Sequence, residues 1–112
     1  MKPRKYFNLR NLWGQSEPSE TTGYPLSLPD LDGIEFATVR PLDGEGWHVI
    51  HVRTGMRVMY RYRSEESKSA AKESAMAEIE RVAKKMGWAK MERDLRRRKT
   101  PCIVAALAKV KV

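Results

Sequence analysis

A chain of 112 residues with a hydrophobic fraction of 41% has room for one modest core and none for a second domain, and its single cysteine excludes an intrachain disulfide. Lys and Arg outnumber Asp and Glu by 22 to 14, a formal net charge of +8 that favours acidic partners, nucleic acid first and an anionic membrane surface or an acidic protein groove next. No apolar run reaches membrane-spanning length, and MKPRKYFNLR has no apolar segment behind its charged start, so a soluble cytoplasmic protein without a membrane partner is expected.

The first ten residues hold Lys2, Arg4, Lys5 and Arg10 and no acid, whereas Asn11 to Gly33 holds Glu17, Glu20, Asp30 and Asp32 and no base. Ser16, Pro18, Ser19, Thr21, Thr22, Gly23, Pro25 and Pro29 interrupt regular structure, so residues 14–30 read as a loop. A loop of that length is uncommon inside a compact domain. Residues 1–33 are therefore expected as an extended arm and 34–112 as a single compact domain. Tyr6, Phe7, Leu9, Leu12 and Trp13 give the arm enough apolar mass either to cover the core as a short strand or helix or to dock on a partner.

Ile34 to Leu42 predicts a first strand, with Ile34, Phe36 and Thr38 on one side and Ala37 and Val39 on the other, ended by Pro41. Asp43 to Gly46 predicts a turn. The stretch GWHVIHVRTGMRVMYRYR then reads as a hairpin around Thr54-Gly55, with Arg53 opposite Met56, His51 opposite Val58, Val49 opposite Tyr60 and Trp47 opposite Tyr62. One face is apolar and aromatic. The other carries His48, Ile50 and Val52 with Arg57, Met59, Arg61 and Arg63, and stays free and basic unless the C-terminal segment covers it.

From Ser64 the period becomes helical: Ser64 as N-cap, Glu65 and Glu66 in the first turn, then Ala71, Ala75, Ile79, Val82 and Met86 along one stripe. Lys84, Lys85 and Gly87 mark the stop. The stripe needs a cover, and the face bearing Trp47, Val49, Val58, Tyr60 and Tyr62 is the expected one. Trp88 to Lys99 reads as a short second helix with Trp88, Met91 and Leu95 apolar and most other positions basic. Thr100 and Pro101 open a last segment that is helical or ends as a strand. The expected fold class is α+β: a three-stranded antiparallel β-meander packed against a long amphipathic helix, followed by a short basic helix and a C-terminal helix or strand.

Positive charge is concentrated in two places. Gly46 to Arg63 carries four arginines and no acid; Lys84 to Lys99 carries eight bases against two acids. Clusters of this kind neutralise phosphates and release counterions. The candidate nucleic-acid contacts are Arg57, Arg61 and Arg63 on the hairpin and Lys90, Arg93, Arg96, Arg97, Arg98 and Lys99 on the second helix. Trp47, Tyr60 and Tyr62 can stack on unpaired bases, although the same rings suit the core.

No signature of catalysis or of a cofactor is present. His48 and His51, three apart on a strand, point to opposite faces and cannot share one metal without a bulge, and Cys102 sits in an apolar run as a small buried hydrophobe. Glu65 and Glu66 are explained as helix-start residues, and no phosphate-binding glycine loop or nucleophile elbow occurs. The β-β-β-α order with W-x-V-x-x-x-x-T-G-x-x-V over residues 34–86 resembles the small three-stranded DNA-binding domains of tyrosine recombinases and plant transcription factors. That resemblance implies a sheet in the major groove, with Arg57, Arg61 and Arg63 on DNA. The expected function is a basic, non-enzymatic module binding DNA or RNA. The alternative is an accessory protein, similar in style to those of phages and plasmids, that inhibits or adapts a host protein such as a nucleic-acid-processing enzyme.

Overall fold

The computed structural model describes residues 2–42, 45–58 and 65–110. The elements run β1 (Arg4–Leu12), β2 (Gln15–Leu26), β3 (Phe36–Val39), β4 (His48–His51), β5 (Met56–Arg57), α1 (Lys68–Met86), α2 (Trp88–Arg97) and α3 (Pro101–Val110). The class is α+β, as expected, but the sheet has five antiparallel strands in sequential order rather than three. It curls until β1 reaches the turn after β4, where the Leu9 N–H donates to the Gly55 carbonyl at 2.9 Å.

The two additional strands come from the expected arm: β1 from the part for which a covering strand was one alternative, and β2 from residues 14–30, expected as a loop. Pro18 and Pro25 lie within β2, where they delete ladder donors. Both are tolerated because β2 has a partner on only one side at each: β1 pairs with residues 15–23 and β3 with residues 23–26. Gly23 alone is paired on both sides. A Cβ there would collide with the Thr38 carbonyl and the Val39 side chain, so the strands cross closely at this glycine. The opposite charges of the two halves of the arm also find their reason, because they meet across the hairpin: Lys5 pairs with Glu20 at 3.1 Å, and Arg10 reaches Glu17 at 3.9 Å. Trp13 and Gly14 close it in a two-residue turn with φ of 52° and 76°.

β3 and β4 are buried on both faces, and each face has its own core. On one, Phe36, Val49 and Val58 meet Ala71, Ala75 and Ile79 of α1, with Leu28, Leu31, Ile34 and Met91 completing the cluster. Val49 and Val58 thus contact the α1 stripe as expected. On the other, Ala37, Val39, Ile50 and Val52 pack with Tyr6 of β1, and Leu107 of α3 closes over them. The face expected to stay free and basic is therefore covered by the curl of the sheet and by α3.

Three local expectations are corrected. The hairpin turn is Val52–Gly55 rather than Thr54-Gly55: the Thr54 and Gly55 N–H groups both donate to the His51 carbonyl, and His51 pairs with Met56, Ile50 with Arg57. Because this register differs by two residues, the described strand residues keep the faces expected of them. Helix α1 starts at Lys68 with Ser67 as cap, its hydroxyl accepting the Ala70 N–H at 3.1 Å. Glu65 precedes the helix and pairs its backbone with that of Trp47. The cap assigned to Ser64 and the side chains of Asp43, Gly44, Met59, Tyr60, Arg61, Tyr62 and Arg63 lie outside the described residues. The last segment is helical through Val110, with Pro101 in its first position.

The crossing at Gly23 yields a direct test. Gly23→Ala is expected to cost about 1–3 kcal/mol, the usual penalty for overpacking, and Ile79→Ala about 2–5 kcal/mol for an emptied core site. Urea unfolding of both variants measures this. A neutral Gly23→Ala would mean that β2 and β3 are not held this closely.

Candidate nucleic-acid interface

Helix α2 is oriented by its apolar residues and locked at its C-terminal end. Met91 is buried and Leu95 half-buried against the α1 core, which turns Lys90, Arg93 and Arg97 to solvent. The last carbonyls of a helix have no partner within it. Here they are taken by side chains of the hairpin: His51 Nε2–H donates to the Leu95 carbonyl at 2.9 Å and the Arg53 guanidinium to the Arg96 carbonyl at 3.2 Å. Basic groups at this position also complement the negative end of the helix dipole. The Arg98 N–H closes on the Asp94 carbonyl, and Arg98 takes an extended backbone (φ −66°, ψ 135°), so Arg98 and Lys99 lie past the helix on the approach to α3.

The candidate cations fall into three groups. Lys90, Arg93, Arg97, Arg98 and Lys99 are exposed and make no ion pair among the described residues. Arg96 has a structural role: its guanidinium donates to the Asp32 carbonyl at 2.9 Å and to the Glu92 carboxylate at 3.0 Å. Arg57 is exposed on the short edge strand β5, and no described contact brings it to α2, while Arg61 and Arg63 lie outside the described residues. Trp47 does not offer an open ring, since Arg40 sits 4.0 Å over its centroid, Lys68 5.5 Å away, and Tyr24 packs beside it at 6.2 Å.

One further cation, Arg53, joins the basic end of α2, and two more share a cleft with it. Arg53 bridges to Arg96 and also lines a cleft of about 540 Å³ between β1 and α3, together with Arg4 and Lys5. Glu35 is the acid of this cleft, and Tyr6, Val52 and Leu107 supply its inner wall. The sequence places Arg53 on the first strand of the hairpin, opposite Met56, and Arg4 and Lys5 in the N-terminal arm; in the structure Arg53 lies in the Val52–Gly55 turn and Arg4 and Lys5 on β1. Burial raises the Tyr6 phenol above its ordinary pKa, opposed by Arg4, so it retains its proton.

The two histidines occupy opposite faces of β4. His48 Nε2–H donates to Asn8 Oδ1 at 2.8 Å beneath β1, and Asn8 in turn donates to the Arg40 carbonyl. His51 lies edge-on to Phe36 on the other face. Its Nε2 faces a carbonyl and must carry hydrogen, which leaves Nδ1 to accept from the Thr54 hydroxyl at 2.9 Å when the ring is neutral. Cys102 is half-buried, less enclosed than expected, and its thiol faces the Ser16 carbonyl at 3.9 Å. Among the described residues no group of three His, Cys, Asp or Glu side chains is placed to hold a metal, and no helix is long and apolar enough to cross a membrane. Comparison with protein-family models, with curated proteins and with solved structures finds no match to this chain.

Two tests follow from this geometry. Burial lowers the His51 pKa, with Arg53 and Arg98 acting the same way and the Leu95 carbonyl and Glu35 opposing. The unfolded chain thus takes up its proton near the ordinary value of about 6.5, before the folded one does. Stability contributed by neutral His51 is complete above that pH and is lost as the pH falls towards the depressed folded value. His51→Gln should flatten the decline of Tm between about pH 7 and 5.5, and an unchanged slope would show that another group controls it. For the arginines, Arg96→Ala should cost about 0.5–1.5 kcal/mol, discounted for its exposure. Arg97→Ala should stay within about 0.5 kcal/mol. Equal losses would mean that Arg96 does not tie α2 to the loop at Asp32.

Proposed function

We propose that the protein is a small, non-enzymatic nucleic-acid-binding module whose principal contact is the basic end of α2. The observation that carries this reading is the set Lys90, Arg93, Arg97, Arg98 and Lys99: five exposed cations without ion pairs among the described residues, on and just beyond a helix whose C-terminus is pinned by His51 and Arg53. A pinned helix presents charge to phosphates with little ordering cost on binding. Arg57 on β5 supplies a separate, weaker contact. The groove-entering sheet implied by the resemblance to three-stranded DNA-binding domains has no counterpart here, because that face is occupied by Tyr6 and Leu107.

A second reading, an adaptor or inhibitor acting on a host protein, draws on one different observation. Trp13 is 98% exposed at the tip of the β1–β2 hairpin and holds a left-handed φ of 52°, which is costly for a bulky residue and is offset by no burial of its ring among the described residues. An exposed tryptophan at a hairpin tip is the kind of residue that anchors a protein interface.

The deciding experiment is anisotropy with labelled DNA and RNA across a salt series. Replacing Arg93, Arg97 and Arg98 with Ala should weaken binding at every sequence and flatten the log–log salt dependence by about 2–2.7 units, about 0.7–0.9 per lost phosphate contact. Thermal stability should barely change. An unaltered slope removes α2 from the interface. If the parent protein binds no nucleic acid even at low salt, the reading fails and the protein-partner reading takes its place.

A further inference from the structure

We propose that the cleft between β1 and α3 receives an unpaired nucleotide, so that the protein prefers single-stranded nucleic acid over duplex; this rests on the nucleic-acid reading above and adds a second subsite to it. The cleft joins two kinds of lining that a nucleotide requires together. Its rim carries Arg4, Lys5 and Arg53 against the one carboxylate of Glu35, and its wall is formed by Tyr6, Val52 and Leu107. A volume of about 540 Å³ lies within the range of small-molecule sites. It has space for a base and its sugar but not for stacked base pairs.

Position points to a strand rather than to a free small anion. Arg53 belongs to the cleft and at the same time donates to the Arg96 carbonyl, so the rim continues directly into the basic end of α2. A backbone seated on Arg97 and Arg98 can therefore continue past Arg53 to the cleft that Arg4 and Lys5 also line. Lys5 is shared with Glu20, both more than half exposed, so this pair yields readily to a phosphate. Inside, the Glu35 carboxylate can accept from an exocyclic amino group and the Tyr6 hydroxyl can donate to a ring nitrogen or carbonyl. Bases within a duplex are turned inward onto one another and would have to be flipped to enter.

The test uses the full chain and three labelled probes of equal length: a mixed-sequence single strand, a strand abasic throughout, and a duplex. The base-bearing single strand should bind about tenfold more tightly than the other two, since enclosing even one base contributes on that scale. Val104 lines the cleft and is 36% exposed, and Ala108 lines it as well. Val104→Trp, or Ala108→Phe should the first variant fail to fold by circular dichroism, should abolish the preference and leave abasic and duplex binding unchanged. Equal binding of the abasic and base-bearing strands by the parent protein overturns the subsite while leaving the phosphate-binding reading intact. Failure of all three probes to bind at low salt overturns both. Binding of dodecanoate that is lost in the cleft-filling variants, without any effect of those variants on the single strand, would reassign the cleft to amphiphilic anions.

Discussion

The Val52–Gly55 turn is the constraint on which the remaining elements depend. Its backbone carbonyls are bonded outward: Gly55 to the Leu9 N–H of β1, Arg53 to the Thr100 N–H, and Thr54 to the Thr100 hydroxyl. Its side chains, with His51 just before it, cap the end of α2. One turn therefore ties the first strand, the end of the second helix and the start of the third. Gly55 makes this possible, since its φ is +69° and a Cβ would come within 2.9 Å of the Leu9 nitrogen and the Phe7 carbonyl and 3.0 Å of Ile103.

Closing β1 onto that turn has a consequence for the surface. A flat three-stranded sheet with one helix would have left half of β3 and β4 in water, available to a partner. Curling brings Tyr6 over Ala37, Val39, Ile50 and Val52, and Leu107 of α3 seals the cluster. Both faces of the central strands are then core, and the surface open to solvent lies at the edges, at the end of α2 and at the mouth beside α3. His48 is buried with its Asn8 partner as part of the same closure.

Charge is distributed accordingly. Several described acids are taken up by neighbouring bases: Glu17 and Glu20 across the first hairpin, Glu78 and Glu80 along α1, and Glu92 on α2. What remains exposed at the end of α2 is positive, and Arg53 links it to the cleft that Arg4 also lines. The geometry explains why a net charge of +8 can act locally instead of being spread over the whole molecule.

Local features were legible where the determining contacts are periodic or close in the chain. The steps of four through Ala71, Ala75 and Ile79 located α1 and its buried stripe, the alternation of Phe36 to Val39 and His48 to His51 located two strands, and Met91 with Leu95 set which side of α2 is basic. The first hairpin was not legible, because β2 is polar, contains two prolines and is stabilised only by neighbours, of which β3 lies more than ten residues further on. Prolines forbid a strand only where both edges are paired, and that pairing is a tertiary fact. The role of Arg96 was hidden for the same reason: in the sequence it is one of three adjacent arginines, and only the arrival of Asp32, 64 positions away, separates it from Arg97 and Arg98. Periodicity and turn chemistry determined which segments form helices and the central strands; long-range hydrogen bonds and closure of the sheet decided which faces are buried and which cations remain free.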